Sequence, residues 1–169
     1  VGASYSITLN IDPMPLKVGD KAPLFTLYSD AKEEVSLTDY TGRRVVLLFF
    51  PLAFTGVCTE EMCTMRDSLE GYNALDADIL AISVDSVFTL EKFREQEGLN
   101  FPLLSDFNKE VSRQYGALYD TFVLGMEGVS KRAAFVIDGQ GVIRYAEVLG
   151  SAGDQPDYSA IRTTLGELS

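Results

Sequence analysis

The sequence predicts an α/β domain built on a mixed β-sheet, and three observations carry that prediction. Two short, dominantly apolar runs, Val45 to Phe50 and Ile79 to Val84, have the length and β-branched content of strands buried on both faces. Between them Met62, Met65, Leu69 and Tyr72 recur at steps of three and four, the stripe of an amphipathic helix. Later, Ala133 to Ile137 and Val142 to Val148 flank Asp138-Gly139-Gln140-Gly141, a hairpin-type turn. Strand, helix and strand followed by a hairpin puts parallel and antiparallel neighbours in one sheet flanked by helices.

The remaining elements fall into order around these. Phe25 to Tyr28 reads as a short strand, Ser29-Asp30 as a turn, and a second short strand ends at Leu37. After Val45 to Phe50 comes a loop with Pro51 and Gly56, then a helix from Thr59 to Leu75. Helix is expected at Leu90 to Glu97 and at Lys109 to Tyr115, with a short strand at Leu103-Leu104 between them. Gly125-Met126-Glu127-Gly128 is expected to be a mobile loop near the chemistry, and Phe54, Phe88 and Tyr119 to pack in the core or at its rim. Pro156 sits where the first turn of a last helix tolerates proline, and that helix runs to about Leu168. Residues 1–13 precede Met14 and read as an N-terminal extension or expression remnant; residues 14–169 form one domain, with no linker or repeat.

Composition narrows the chemistry. The 169 residues include no histidine and only two cysteines. Serine–histidine and cysteine–histidine couples and imidazole metal ligands are therefore excluded. Two cysteines do not make a four-ligand zinc site without help from histidine, which leaves Cys, carboxylate, Tyr, Lys, Arg or a cofactor to carry any chemistry. A net charge of −11 argues against nucleic acid, which is bound by neutralising phosphates with Lys and Arg. The longest apolar run is about half the ~20 residues of a membrane span, and no signal-peptide pattern opens the sequence. The expectation is a cytoplasmic protein with reduced thiols, where a cysteine pair is more often catalytic or metal-binding than structural.

Those cysteines lie in Pro51-Leu52-Ala53-Phe54-Thr55-Gly56-Val57-Cys58-Thr59-Glu60-Glu61-Met62-Cys63. Cys58 falls between a buried strand and the first turn of a helix, where unpaired N–H groups and the helix dipole favour a thiolate, the nucleophilic form. Thr55, three residues earlier, is close enough in a tight loop to bond the sulfur or a bound oxygen. Taken singly, Thr55 is a turn or cap residue, Arg132 half of a solvated Lys131-Arg132 pair, and Glu60 and Glu61 complements to the helix dipole.

Taken together, Pro51-x-x-x-Thr55-x-x-Cys58 behind its apolar strand resembles the active-site signature of the peroxiredoxins. Asp20-Lys21-Ala22-Pro23-x-Phe25, Phe101-Pro102-Leu103-Leu104-Ser105-Asp106 and Arg132-Ala133-Ala134-Phe135-Val136-Ile137-Asp138 agree, extending the resemblance over nearly the whole chain from Val18. It implies a thioredoxin-like fold and thiol-dependent reduction of hydrogen peroxide or organic hydroperoxides with no metal, flavin or other cofactor. By the same resemblance Cys58 is the peroxidatic cysteine, Thr55 orients the peroxide and Arg132 stabilises the thiolate and the developing charge. Pro51 screens the sulfenic acid, Glu61 orients Arg132, and N–H groups around Val57 and Cys58 bind the attacked oxygen. Thioredoxin or a similar thiol reductant is the implied partner, and the family allows a homodimer.

Cys63 leaves two readings. Its Cys-x4-Cys spacing resembles the Q-type, or bacterioferritin-comigratory, group, in which the second cysteine resolves the first. The text Leu47 to Gly56 is more similar to the alkyl hydroperoxide reductase E group, which uses one cysteine. Residues five apart on an intact helix lie ~8–9 Å between Cα atoms, beyond the about 7 Å that a disulfide tolerates. Either the first turns of the helix unwind after oxidation and the two cysteines pair, or Cys63 is a small buried residue of the helix stripe. A dithiol oxidoreductase or redox sensor is the alternative activity, although thioredoxin-like relatives of that kind would carry Cys-x-x-Cys.

Overall fold

The computed structural model describes residues 15–168; the N-terminal extension lies outside them. Strands β1 (Thr26–Ser29) and β2 (Glu34–Ser36) form an antiparallel pair, followed by a single 3₁₀ turn at Leu37–Tyr40. Then come β3 (Arg44–Phe49), α1 (Gly56–Ala74), β4 (Ala77–Ser83), α2 (Val87–Glu97), β5 (Leu103–Ser105) and α3 (Glu110–Gln114). The chain closes with β6 (Leu118–Thr121), β7 (Glu127–Ser130), β8 (Ala133–Ile137), β9 (Ile143–Val148) and α4 (Tyr158–Glu167). Seven strands make one mixed sheet in the order β2-β1-β5-β4-β3-β8-β9, with β3, β4 and β5 parallel at its centre and β8 antiparallel to β3.

The pleat of β3 explains its unbroken apolar sequence. Val46, Leu48 and Phe50 join a core with Met62 and Met65 of α1, Phe93 of α2 and Ile161 of α4. Val45, Leu47 and Phe49 join a second core with Val111 and Tyr115 on the opposite face. A strand covered on both faces has no polar side to show, so alternation disappears and a continuous run remains.

Several boundaries differ from the sequence reading. The main helix begins at Gly56 instead of Thr59, because the apolar stripe starts only in its second turn. Helix α2 begins at Val87, where the Ser86 hydroxyl accepts from the Thr89 N–H. The last helix is capped by Asp157, which leaves Pro156 ahead of it and not in its first turn. Leu37 belongs to the 3₁₀ turn. Gly125-Met126-Glu127-Gly128 is only half a loop: Gly125 and Met126 end the connection that runs from Phe122 to Met126, while Glu127–Ser130 pairs with β6 in a two-stranded ribbon. Phe54 and Phe88 are exposed at the rim, while Tyr119 is half-buried against Phe122.

Candidate active site

The site forms where β3 ends and α1 begins. The last ladder bond runs from the Phe50 N–H to the Ile82 carbonyl at 3.0 Å. Pro51, buried and without an N–H, turns the chain out of the sheet. Phe54 follows in the left-handed region at φ 66°, with its ring 5.2 Å from that of Phe93. Thr55 is the helix N-cap, but its hydroxyl donates back to the Leu52 carbonyl at 2.8 Å and makes no side-chain cap bond. The helical ladder starts with the Thr59 N–H on the Thr55 carbonyl at 2.9 Å. The N–H groups of Val57 and Cys58 precede it and have no acceptor within the helix.

Sheet register delivers Arg132 to this spot. Phe49 pairs with Ala133, so Arg132 arrives beside the end of β3. Ala134 and Val136 face the α1 core, and Arg132, two residues before Ala134, points the same way. Its Nη2 donates to Cys58 Sγ at 3.3 Å and to the Ala152 carbonyl at 2.9 Å, while Nη1 donates to Glu61 Oε2. Glu61 lies one turn below Cys58 on the same helix face. Glu61 is 0% and Arg132 1% exposed, so the solvated reading of Arg132 does not hold.

Burial of that pair sets its electrostatics. Burial works against the charge of Arg132, but Glu61 and the Cys58 sulfur outweigh it and hold the guanidinium cationic. The Glu61 carboxyl is pushed up to about 7 by its burial, against the pull of Arg132. Its second oxygen, Oε1, is buried with no hydrogen-bond partner among the described residues.

Cys63 lies apart from this cluster. Both cysteines are free, and α1 is continuous through them. The half-buried Cys63 thiol donates to Glu97 Oε2 of α2 at 3.6 Å. Burial and that carboxylate raise its pKa, while Arg66 pulls the other way. The structure therefore brings Cys58, Glu61 and Arg132 into direct contact, sets Pro51, Thr55 and Val57 on the loop and first turn beside them, and leaves Cys63 on another contact.

Two participants escape the sequence reading. The Ala152 carbonyl is a main-chain group in the β9–α4 loop, and no side chain announces it. Asp85 follows β4, and its Oδ2 accepts from the Ala53 N–H at 2.8 Å. Its place just beyond the carboxyl end of a central parallel strand is the available signal, since such ends line the sites of open α/β sheets. Among the described residues, no group of three or more His, Cys, Asp or Glu is arranged to hold a metal ion, and no helix is long and apolar enough to cross a membrane.

Comparison with known proteins agrees with this geometry. Residues 18–146 match the model of the AhpC/TSA family. Peroxiredoxin Bcp of Escherichia coli is 40% identical over 133 residues, covering 78% of this chain and 85% of that protein. Alkyl hydroperoxide reductase E of Mycobacterium bovis is 42% identical over 136 residues, covering 79% and 86%. The crystal structure of peroxidoxin BcpB from Mycobacterium tuberculosis superposes with a TM-score of 0.80 at 30% identity, covering 91% of this chain and 99% of that one. A thioredoxin-like sheet, a cysteine at the mouth of its central strand and relatives of this closeness have one reading: the chain belongs to the AhpC/TSA family and is a peroxiredoxin, a thiol peroxidase by family.

Proposed function

We propose that Cys58 is the peroxide-reactive thiol, that Cys63 resolves it, and that thioredoxin or a similar dithiol reductant restores the pair. The observation that carries the first assignment is the Arg132 Nη2 contact at 3.3 Å, a buried cation aimed at the one fully buried cysteine. The Cys58 thiolate attacks one peroxide oxygen; the S–O bond forms, the O–O bond breaks, and the second oxygen leaves as an alcohol or water after taking a proton. Arg132 and the Val57 and Cys58 N–H groups supply donors for charge building on the oxygens. The Thr55 hydroxyl, already donating to Leu52, keeps its lone pairs to accept from the hydroperoxide O–H. Glu61 holds Arg132 in place, and Pro51 closes the loop without exposing a competing donor.

The sulfenic acid then meets Cys63. Sulfur of Cys63 attacks sulfur of Cys58; the S–S bond forms, the S–O bond breaks, and water leaves. With five residues of intact helix between them, the first turns of α1 must unwind for this step. The second reading, a one-cysteine peroxidase restored by an external thiol, is favoured by one observation, the engagement of Cys63 with Glu97.

Stopped-flow mixing of the reduced protein with hydrogen peroxide tests the activity. The expected rate far exceeds that of a free thiol and disappears in Cys58→Ser; a rate no better than a free thiol overturns the assignment. Intact mass after one equivalent of peroxide separates the two readings. Loss of two hydrogens supports resolution by Cys63, and gain of one oxygen supports the one-cysteine cycle.

A further inference from the structure

Between β4 and α2 the chain makes a short turn in which Asp85 joins three parts of the sheet edge. Its Oδ2 accepts from the Ser83 hydroxyl at 2.7 Å and from the Ala53 N–H at 2.8 Å. Its own N–H donates to the Ser83 hydroxyl at 3.2 Å, and its carbonyl accepts from the Ser105 hydroxyl at 2.6 Å. Ser83 is fully buried at the end of β4, and Ser105 ends β5. Asp85 is thus fixed by two strand ends, its carboxylate by Ser83 and its main chain by Ser83 and Ser105, where it meets the cysteine loop.

What it holds there is a main-chain donor of the loop that follows the end of the sheet ladder. The Phe50 N–H still bonds to β4, Pro51 has no N–H, and the Ala53 N–H meets Asp85 instead of a backbone carbonyl. The next residue, Phe54, is left-handed at φ 66°. For a bulky side chain that conformation is strained and persists only where its surroundings enforce it. A hydrogen bond to a carboxylate, on the order of twice as strong as a neutral one, anchors the residue immediately before it. Thr55 and the first turn of α1 follow directly, so the direction in which the loop delivers them depends on this anchor.

We propose that Asp85 is a positioning residue for the peroxidase reaction: by gripping the Ala53 N–H it holds the Pro51–Thr55 loop in the form that presents Thr55 and the N–H groups of Val57 and Cys58 to a peroxide. It touches neither the sulfur nor the substrate. The effect is on alignment, to which attack on an O–O bond is sensitive, since misplacement by about 1 Å costs on the order of a hundredfold. The inference rests on Cys58 being the peroxide-reactive thiol.

The test compares two reagents on the full chain. Hydrogen peroxide needs the pocket; iodoacetamide needs only an accessible thiolate. Asp85→Ala is expected to slow the peroxide reaction of Cys58 by about tenfold to a hundredfold while changing its alkylation rate less than threefold. Asp85→Asn, which keeps an acceptor oxygen for Ala53, is expected to recover most of the peroxide rate. Should Asp85→Ala not fold, Ser83→Ala, which frees Oδ2 from its hydroxyl, carries the same comparison with a several-fold loss. Unchanged peroxide rates, equal losses with both reagents, or no recovery in Asp85→Asn overturn the proposal. If the wild-type protein itself reacts with peroxide no faster than a free thiol, the Cys58 assignment fails first and the Asp85 comparison is not reached.

Discussion

Glu61 is the residue whose burial has the most readable consequence. Its carboxyl is fully buried, with one oxygen bonded to Arg132 and one without a partner among the described residues. Burial lifts it from the ordinary 4.5 to about 7, so the folded protein keeps a proton that the unfolded chain has already released. The stability this gives is complete below pH 4.5, declines as pH rises to about 7, and is absent above. The decline is on the order of 3 kcal/mol at most. Glu61→Gln has nothing to titrate there. Urea midpoints of the two proteins between pH 4 and 8 should therefore converge or cross as the wild type alone loses this contribution; parallel curves would contradict it.

At the scale of the element, α1 is two helices in one. Beyond Cys63 it is tied to α2: Arg66 Nη1 donates to the Glu97 carbonyl, and Asn100 Nδ2 donates to the Arg66 carbonyl at 3.3 Å. Before Cys63 its hold is the Glu61–Arg132–Cys58 cluster, the part that oxidation of the sulfur alters. We expect amides 59–63 to lose protection from hydrogen exchange after one equivalent of peroxide, while amides 66–74 keep theirs. Protection unchanged throughout would mean that no disulfide forms within the helix.

The same element shows what was legible in the sequence. The run Val45 to Phe50 announced a doubly buried strand because no polar residue interrupts it, and the Met62-Met65-Leu69-Tyr72 stripe announced the helix. Its true start did not show, since Gly56, Val57 and Cys58 carry no stripe of their own. The β6–β7 ribbon was hidden too: four residues such as Glu127-Gly128-Val129-Ser130 have no strong strand preference, and pairing with Leu118 to Thr121 decides them. Cys58, Glu61 and Arg132 were legible as a set from their motif order. The Asp85 grip and the Ala152 carbonyl were not, because each exists only once β4 and the β9–α4 loop are folded against the site.

Over the whole molecule, 25 acidic side chains stand against 14 basic ones, and the cation at the site, Arg132, is buried and paired. A neutral peroxide feels little of that field, whereas an anionic one is repelled until salt screens it. Raising ionic strength from about 10 mM to 0.5 M, a range over which the Debye length falls from 30 Å to a few ångström, should leave the hydrogen peroxide rate nearly unchanged. The rate with a carboxylate-bearing hydroperoxide should rise several-fold. Equal salt dependence for both would show that the net charge does not reach the site.

The Ala152 carbonyl on Arg132 has a consequence in time as well as in space. Cys58 is made before the guanidinium that touches it, and the carbonyl that completes the guanidinium's contacts is made later still, after β9. A growing polypeptide therefore carries the Cys58 thiol without those partners until residue 152 has been added. The sulfur acquires its full setting only when the fold around it closes, so its surroundings are a late product of synthesis.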